Sequence, residues 1–340
     1  MNEVQAVRVE GMSFTFLDQT LLPHEERYVR AVTLEVLCEA IRSLRVRGAP
    51  LLGICGAAGI AIAASADASD AALQQAAGAL KATRPTAVDL GALADRALAH
   101  TLAAGPGQAA RRDAAWSFLQ AVLARRREED LALARAGVEL LPQGSTVLTH
   151  CNTGTLATGG IGTALGVIRA GWTAGRVVHC YATETRPLLQ GARLTAWELT
   201  RLGIPATLLP DTAAATLLAS GGVQAVITGA DRVAANGDTA NKVGTLGLAL
   251  AAARYGIPFY IAAPSTTFDP ACPGGHAIPI EHRDPSEVGG FGGQRWAPEG
   301  IGAYNPAFDV TPADLIAAFV TEQGVLRPPF ATAIRTLVRR

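Results

Sequence analysis

Two stretches of this sequence set reactive side chains among small, turn-prone residues. The first, Thr149-His-Cys-Asn-Thr-Gly-Thr-Leu-Ala-Thr-Gly-Gly-Ile-Gly-Thr-Ala-Leu-Gly166, follows an apolar run. A small-residue loop opening a helix offers unpaired N–H groups and the positive end of the helix dipole, which suit a phosphate. Cys151 lies in that loop. Most unpaired cysteines are small buried hydrophobes, but a strand–helix junction lowers a thiol's pKa, so a thiolate base or nucleophile is expected here. The second stretch runs from Thr228-Gly-Ala-Asp231 to Asn241-Lys-Val-Gly244. Asp231 follows an apolar run, with Ala230 and Val233 close by, and desolvation there would keep a carboxyl protonated as a general acid. The plainer alternative is a carboxylate held by Arg232 or capping a turn. Asn236-Gly-Asp238 reads as a turn, and Asn241-Lys242 as the opening of the next helix, where amide and ammonium meet an anionic or hydroxyl-rich ligand.

Further polar groups surround other helix entries. Glu184-Thr-Arg-Pro187 precedes Gln190, which can reach a sugar hydroxyl, and Pro187 suits a first helical position. Arg186 and Arg193 serve either a phosphate or Glu184. Arg47-Gly48-Ala49-Pro50 places exposed amides beside a guanidinium, a good phosphate cradle, and Arg84-Pro85 supplies a second arginine. Lysine occurs only twice, at Lys81 and Lys242, which singles out Lys242 as a compact charge. His150 adjoins Cys151, but neighbours on a strand point to opposite faces, so no Cys–His protease pair is expected. No histidine or carboxylate cluster has metal-ligand spacing, so neither a metal nor a cofactor is expected. Gly160-Ile-Gly162 with Gly166, and Glu184 further on, imitates a dinucleotide fingerprint whose spacing is wrong by one residue. Gly289-Gly-Phe-Gly-Gly293 reads as a mobile loop or lid.

The elements that must position these groups fall into two regions. The chain has 340 residues, 49% hydrophobic and 17% charged, with zero formal net charge, enough for two domains. Neutral balance without basic runs gives no expectation of nucleic-acid binding. The uncharged stretch 49–66 nearly reaches membrane-spanning length, but its Gly, Ala and Pro content favours a buried helix, so no membrane association is expected. Five scattered cysteines without a CxxC pair fit a reducing cytoplasm. Residues 4–16 alternate as a β-hairpin does, and helical spacing follows from about 33 to 137. Beyond Pro142-Gln-Gly144 the pattern changes. Apolar strands at Ser145–Thr149, 176–183, 204–209, 223–228 and 257–263 alternate with helices at 186–202, 211–220 and 240–255. Such alternation is the βαβ signature of a parallel sheet covered on both faces. The expected class is therefore α/β: a hairpin and helical domain over 1–138, then a Rossmann-like catalytic domain over 139–340. Ligands of open parallel sheets bind outside the carboxyl ends of the strands, where Cys151, Glu184 and Asp231 fall.

Together, Arg47-Gly-Ala-Pro50, Thr149-His-Cys-Asn152, Glu184-Thr-Arg-Pro187 with Gln190-Gly-Ala-Arg-Leu-Thr-Ala196, Gly229-Ala-Asp-Arg232 through Asn241-Lys-Val-Gly244, and Tyr304-Asn-Pro-Ala-Phe-Asp309 resemble the methylthioribose-1-phosphate isomerases of methionine salvage. The likeness runs from Leu22 to Asp314. It implies a homodimer acting on a small phosphorylated sugar, with Asp231 as catalytic acid and Cys151 as its partner. It further implies substrate contacts at Arg47, Gly48, Ala49, Arg84, Gln190, Asn241 and Lys242. The sequence departs from the family pattern at Thr153, Leu51-Leu52 and Leu246, which bears on pocket shape rather than chemistry.

A phosphate on the anomeric carbon locks the ring and removes the free aldehyde that ordinary aldose–ketose isomerases use. An acid must therefore protonate the ring oxygen, after which a base moves a proton from C2 to C1 or a hydride migrates directly. The alternatives are a ribose-1,5-bisphosphate or 5-deoxyribose 1-phosphate isomerase, a non-catalytic subunit like those of translation initiation factor 2B, and a dinucleotide oxidoreductase.

Overall fold

The computed structural model describes residues 4–85 and 87–338. They form two units, one of residues up to 129 plus 154–162, the other of residues 130–153 and from 163 onward. The first unit opens with an antiparallel meander, β1 (Val7–Glu10), β2 (Ser13–Leu17) and β3 (Tyr28–Arg30). Helices α1 (Leu34–Arg42), α2 (Ala49–Ala66), α3 (Asp70–Thr83), α4 (Val88–Ala103) and α5 (Gln108–Val138) follow, the last turns of α5 belonging to the second unit. Thr33 and Ser69 cap α1 and α3 by accepting from Val36 N and Ala72 N, as N-cap side chains do.

Helix α2 is long and apolar enough to cross a membrane by length and composition, yet 72% of it is buried. It is a core helix made possible by small residues. A Cβ on Gly56 would lie 2.6 Å from Leu90 O, and one on Gly59 2.7 Å from Leu80. Gly53 meets Asp89 and Leu93 while Gly56 meets Leu90 and Ala94, so α2 and α4 run in the same direction. Gly48 and Arg84, which precede these two helices, therefore lie at the same end of the bundle.

The second unit is an α/β layer structure. Its strands are β4 (Ser145–Thr149), β5 (Val177–Thr183), β6 (Ala206–Leu209), β7 (Ala225–Thr228), β8 (Arg232–Ala234), β9 (Thr239–Lys242), β10 (Phe259–Ala262), β11 (Phe268–Asp269), β12 (Gly290–Phe291), β13 (Gln294–Arg295), β14 (Phe308–Thr311), β15 (Ala318–Thr321) and β16 (Gly324–Leu326). The main sheet has the order β16-β15-β10-β7-β4-β5-β6, parallel except for the β15–β16 edge. Helix α6 (Thr155–Thr158) belongs to the first unit; between the strands run α7 (Ala164–Thr173), α8 (Ala196–Leu202), α9 (Ala214–Ala219) and α10 (Thr245–Arg254), and α11 (Ser286–Gly289) and α12 (Phe330–Leu337) come later. Side chains alternate between two cores, as strand geometry requires. Val147, Ile227 and Tyr260 face one cluster with α7 and α8 residues, whereas Leu148, Val226 and Ile261 face the other with α9, α10 and α12 residues.

The structure departs from the sequence expectations in four places. The helix expected over 240–255 starts at Thr245, because 232–242 folds as the β8–β9 hairpin, which pairs on with β14. Pro187 is not a first helical residue: 186–189 forms a turn, and a π-helix over Gly191–Thr195 leads into α8. The glycine-rich loop is a hairpin, β12–β13, whose turn residues Gly292 and Gly293 have φ of 59° and 83°, conformations that favour glycine. Strand β15, four residues long, was not foreseen. Gly56→Ala is expected to cost about 1–3 kcal/mol through overpacking against Leu90. Chemical denaturation checks this, and an unchanged midpoint would contradict the close α2–α4 approach.

Candidate active site

Strands β4, β5 and β6 progress one way across the sheet, and β7, β10 and β15 the other, so the order reverses between β4 and β7. The crevice outside the carboxyl ends at such a switch point is where open α/β sheets bind ligands. Thr149 pairs with Ile227, and adjacent strands lie about 5 Å apart. Cys151 follows the end of β4, and Asp231 follows the end of β7. The chemistry-bearing pair, distant in sequence, thus leaves neighbouring strand ends. A Cβ on Gly229 would lie 2.7 Å from the Thr153 side chain, so the two loops are in direct contact. Only glycine admits that approach.

Cys151 is half-buried, whereas the other four cysteines are buried. Burial pushes the Cys55 and Cys180 thiols up to about 12, which leaves them inert. Cys151 does not sit at a helix start: the next helix, α6, has only four residues and begins at Thr155. A helix dipole is therefore not its source of activation. Its backbone is distinctive instead, with φ of 61°, and Thr185 (63°) and Leu189 (56°) are left-handed as well. Such non-glycine conformations cost on the order of 1–3 kcal/mol each and gather at functional sites.

Asp231 is exposed, so Ala230 and Val233 do not desolvate it as the sequence reading expected. Its backbone N–H donates to Ala240 O at 2.9 Å, tying it to the β8–β9 hairpin. Arg232 donates from Nε and Nη2 to Asp269. Asp238 closes the hairpin turn. Burial pulls its carboxyl upward, but bonds from Asn236, Gly275 N and Ala313 N hold it below its ordinary value.

Asn241 and Lys242 end β9 rather than opening a helix. Lys242 Nζ donates to Ala307 O at 2.8 Å and lies over the Phe308 ring, 5.0 Å from its centroid. The buried Asn241 donates to Thr245 Oγ1 at 3.0 Å. Asp309, which the sequence reading did not single out beyond its motif, accepts from Gly244 N at 2.6 Å and Leu246 N at 3.1 Å. It thereby fixes the turn from Lys242 into α10. Burial pushes its carboxyl up, against these donors and the Lys242 charge. Gln190 is buried with its Oε1 unpartnered, which marks it as a group awaiting a ligand donor. Arg186 donates to Val288 O and lies over Trp296, and Arg193 lies over Phe291; both arginines hold the β12–β13 hairpin. A cavity of about 270 Å³ opens between the Arg186-Pro187 and Val243-Gly244 turns, lined also by Asp211 and Tyr304.

In the first unit, Arg47 Nε donates to Gln19 Oε1 at 3.1 Å, while Gln19 Nε2 donates to Leu156 O at 2.8 Å. Gly48, with φ of 98°, would place a Cβ 2.5 Å from Ala157 O. Helix α2 begins after this glycine with no side-chain cap, so its first N–H groups stay available beside Arg47. Gly160-Ile-Gly162 lies beyond α6 in the chain rather than directly after β4. It does not form the tight strand-to-helix turn of a dinucleotide site.

His150, set aside from chemistry in the sequence, is buried behind the site. Its Nε2 faces Val243 O at 3.0 Å and its Nδ1 faces Thr183 Oγ1 at 2.5 Å. Burial lowers its pKa, and Lys242 lowers it further, against Asp211 and the Val243 carbonyl.

A parallel sheet covered on both faces, with a thiol and a carboxyl following its strand ends and an amide and an ammonium on β9 of the smaller sheet, defines the class of Rossmann-like α/β enzymes. The family model for the initiation factor 2 subunit family matches residues 45–328. The methylthioribose-1-phosphate isomerase of Enterobacter sp. (strain 638) is 49% identical, over 96% of this chain and 95% of that one. The 5-deoxyribose 1-phosphate isomerase of Moorella thermoacetica is 50% identical, over 92% of each. The crystal structure of 5-methylthioribose 1-phosphate isomerase from Pyrococcus horikoshii OT3 superposes with a TM-score of 0.94 at 37% identity, covering 100% of this chain and 97% of that one. The chain belongs to the initiation factor 2 subunit family, and within it to the sugar-phosphate isomerases.

The state of His150 has a measurable consequence. Its folded pKa lies below the ordinary value of 6.5, so below that pH the unfolded chain binds the proton more readily. Its contribution to stability is full above pH 6.5 and is lost as pH falls through the lowered folded value. Between pH 6.5 and about 5, the thermal midpoint of the wild type is expected to fall more steeply than that of His150→Gln. Equal slopes would mean that His150 is not held neutral.

Proposed function

We propose that this chain converts 5-methylthioribose 1-phosphate to 5-methylthioribulose 1-phosphate, a step of methionine salvage. The observation that carries this reading is the placement of Cys151 and Asp231 at adjacent strand ends of the switch point, in a chain 49% identical to an enzyme of that name. Arg47, Gly48, Ala49 and Arg84 bind the phosphate; the uncapped start of α2 beside Arg47 supports this role. Gln190, Asn241 and Lys242 bind the sugar hydroxyls and the developing charge.

Asp231 protonates the ring oxygen, and the bond from that oxygen to C1 breaks. Covered by substrate and near its phosphate, a carboxyl favours the protonated form that an acid must start in. Cys151, as thiolate, takes the C2 proton and returns one to C1, while the C2 hydroxyl gives its proton to the Asp231 carboxylate and becomes the ketone. In the hydride variant the hydrogen on C2 moves to C1 directly, and Cys151 polarises the site. The working form is a homodimer in the cytoplasm, and residues 139–340 form the catalytic domain. Cofactor and metal have no part in the scheme.

The identity to the Moorella thermoacetica 5-deoxyribose 1-phosphate isomerase favours a second substrate that differs only at C5. Incubation with each sugar phosphate and detection of the ketose tests both; absence of product from folded protein rejects the assignment. Asp231→Asn is expected to lower kcat by about 10²–10⁴-fold with the oligomer intact, and retention of most activity would assign the acid elsewhere. In D₂O, solvent deuterium at C1 supports proton transfer, and its absence is compatible with hydride migration.

A further inference from the structure

Both backbone polar groups of Cys151 are bonded to threonine hydroxyls from a distant segment. Its N–H donates to Thr185 Oγ1 at 2.9 Å, and its carbonyl accepts from Thr195 Oγ1 at 2.5 Å. Thr195 closes the π-helix that follows Gln190, and π-helical turns recur at functional sites. Asn152 Nδ2 donates to Thr195 Oγ1 at 3.3 Å and to the buried Glu198 at 2.7 Å, which steadies Thr195 in turn.

The bonds behind Thr185 start from one tautomer of His150. His150 Nε2 faces a carbonyl, which can only accept, so that nitrogen carries the hydrogen. In the neutral ring Nδ1 is then bare and accepts the Thr183 hydroxyl proton. The Thr185 hydroxyl has one hydrogen, which the Thr183 hydroxyl at 3.2 Å and the Thr183 carbonyl at 3.3 Å share as acceptors. The remaining lone pairs of Thr185 Oγ1 are left for the Cys151 N–H. Asp211 fixes the backbone of the same turn, accepting from Thr185 N at 2.8 Å and Arg186 N at 2.7 Å. The chain starts at Val243, next to Lys242, and ends at Cys151. The Nε2–H tautomer fixes the donors from His150 to the Thr183 hydroxyl, and hydrogen bonds linked in this way strengthen cooperatively.

We propose that Thr185, oriented through Thr183 and His150, is a positioning residue for the isomerisation: its hydroxyl holds Cys151 in the left-handed conformation that presents the thiol at the switch point. The inference rests on the reading that Cys151 acts at the reacting carbons. It also explains why a β-branched residue is tolerated at φ of 63°, where such residues are outliers: the strained backbone of Thr185 aims the hydroxyl at Cys151 N.

The test compares Thr185→Val, Thr185→Ser and Cys151→Ala in the full chain. Readouts are kcat and KM for 5-methylthioribose 1-phosphate, and the iodoacetamide alkylation rate at Cys151, located by mass spectrometry. Thr185→Val is expected to lower kcat by about 10–100-fold, leave KM nearly unchanged and slow Cys151 alkylation several-fold; Thr185→Ser restores both. Wild-type kcat in Thr185→Val, or a loss of kcat with alkylation unchanged, overturns the proposal. Wild-type kcat in Cys151→Ala sinks the underlying reading as well, a separate outcome from failure of the threonine arm. If Thr185→Val does not fold, Thr195→Val severs the carbonyl side of the same clamp. The same loss and slowed alkylation are then expected, and their absence overturns the proposal.

Discussion

A parallel strand can be followed only by a crossover, and successive crossovers here carry the chain first to one side of β4 and then to the other. At the point of reversal no connection covers the carboxyl ends, and a crevice remains. Everything chemical in the second unit is arranged around that gap. The loop after β4 carries Cys151, the turn after β5 supplies the threonine that grips it, and the loop after β7 delivers Asp231. The sheet thereby converts wide separation in sequence into adjacency of a strand spacing, with no long structureless loop. Small residues finish the task, because Gly229 admits Thr153 where a side chain would push the two loops apart.

The polar groups at this end of the sheet are held by backbone atoms as much as by one another. Asp309 binds two amides at the start of α10, Lys242 donates to a carbonyl, and His150 holds the Val243 carbonyl. A site anchored in this way has little freedom to relax when one member is lost. Preorganisation of that kind is what positioning and electrostatic catalysis require.

Much of this was legible beforehand. The five strands read from apolar runs between Ser145 and residue 263 coincide with β4, β5, β6, β7 and β10 to within about two residues, the usual uncertainty of element ends. The helical segments of the first region, read from spacing in α1 and from alanine-rich text beyond it, coincide closely with α1 to α5. What stayed hidden was set by tertiary contacts rather than by local pattern. The helix read from residue 240 took in the end of β9, which is a strand only through its pairing with β8 and β14. Asp231 was expected to be desolvated by its neighbours in sequence, but exposure depends on what packs around a residue, not on what adjoins it. Thr185, Thr195 and Asp309 entered only as members of longer motifs, since a hydroxyl or carboxyl that serves another residue's backbone looks like any loop polar group.

The packing of α2 bears on how such a chain can drift. Between Gly48 and Gly59 the helix meets Ala157, Leu90 and Leu80 at distances that leave no room for a β-carbon. Even the smallest enlargement must displace a neighbouring main chain or a packed leucine. Accepted changes in this unit are therefore channelled to the outward faces of α3, α4 and α5, and the glycine stripe can vary only if a partner helix retreats in the same lineage.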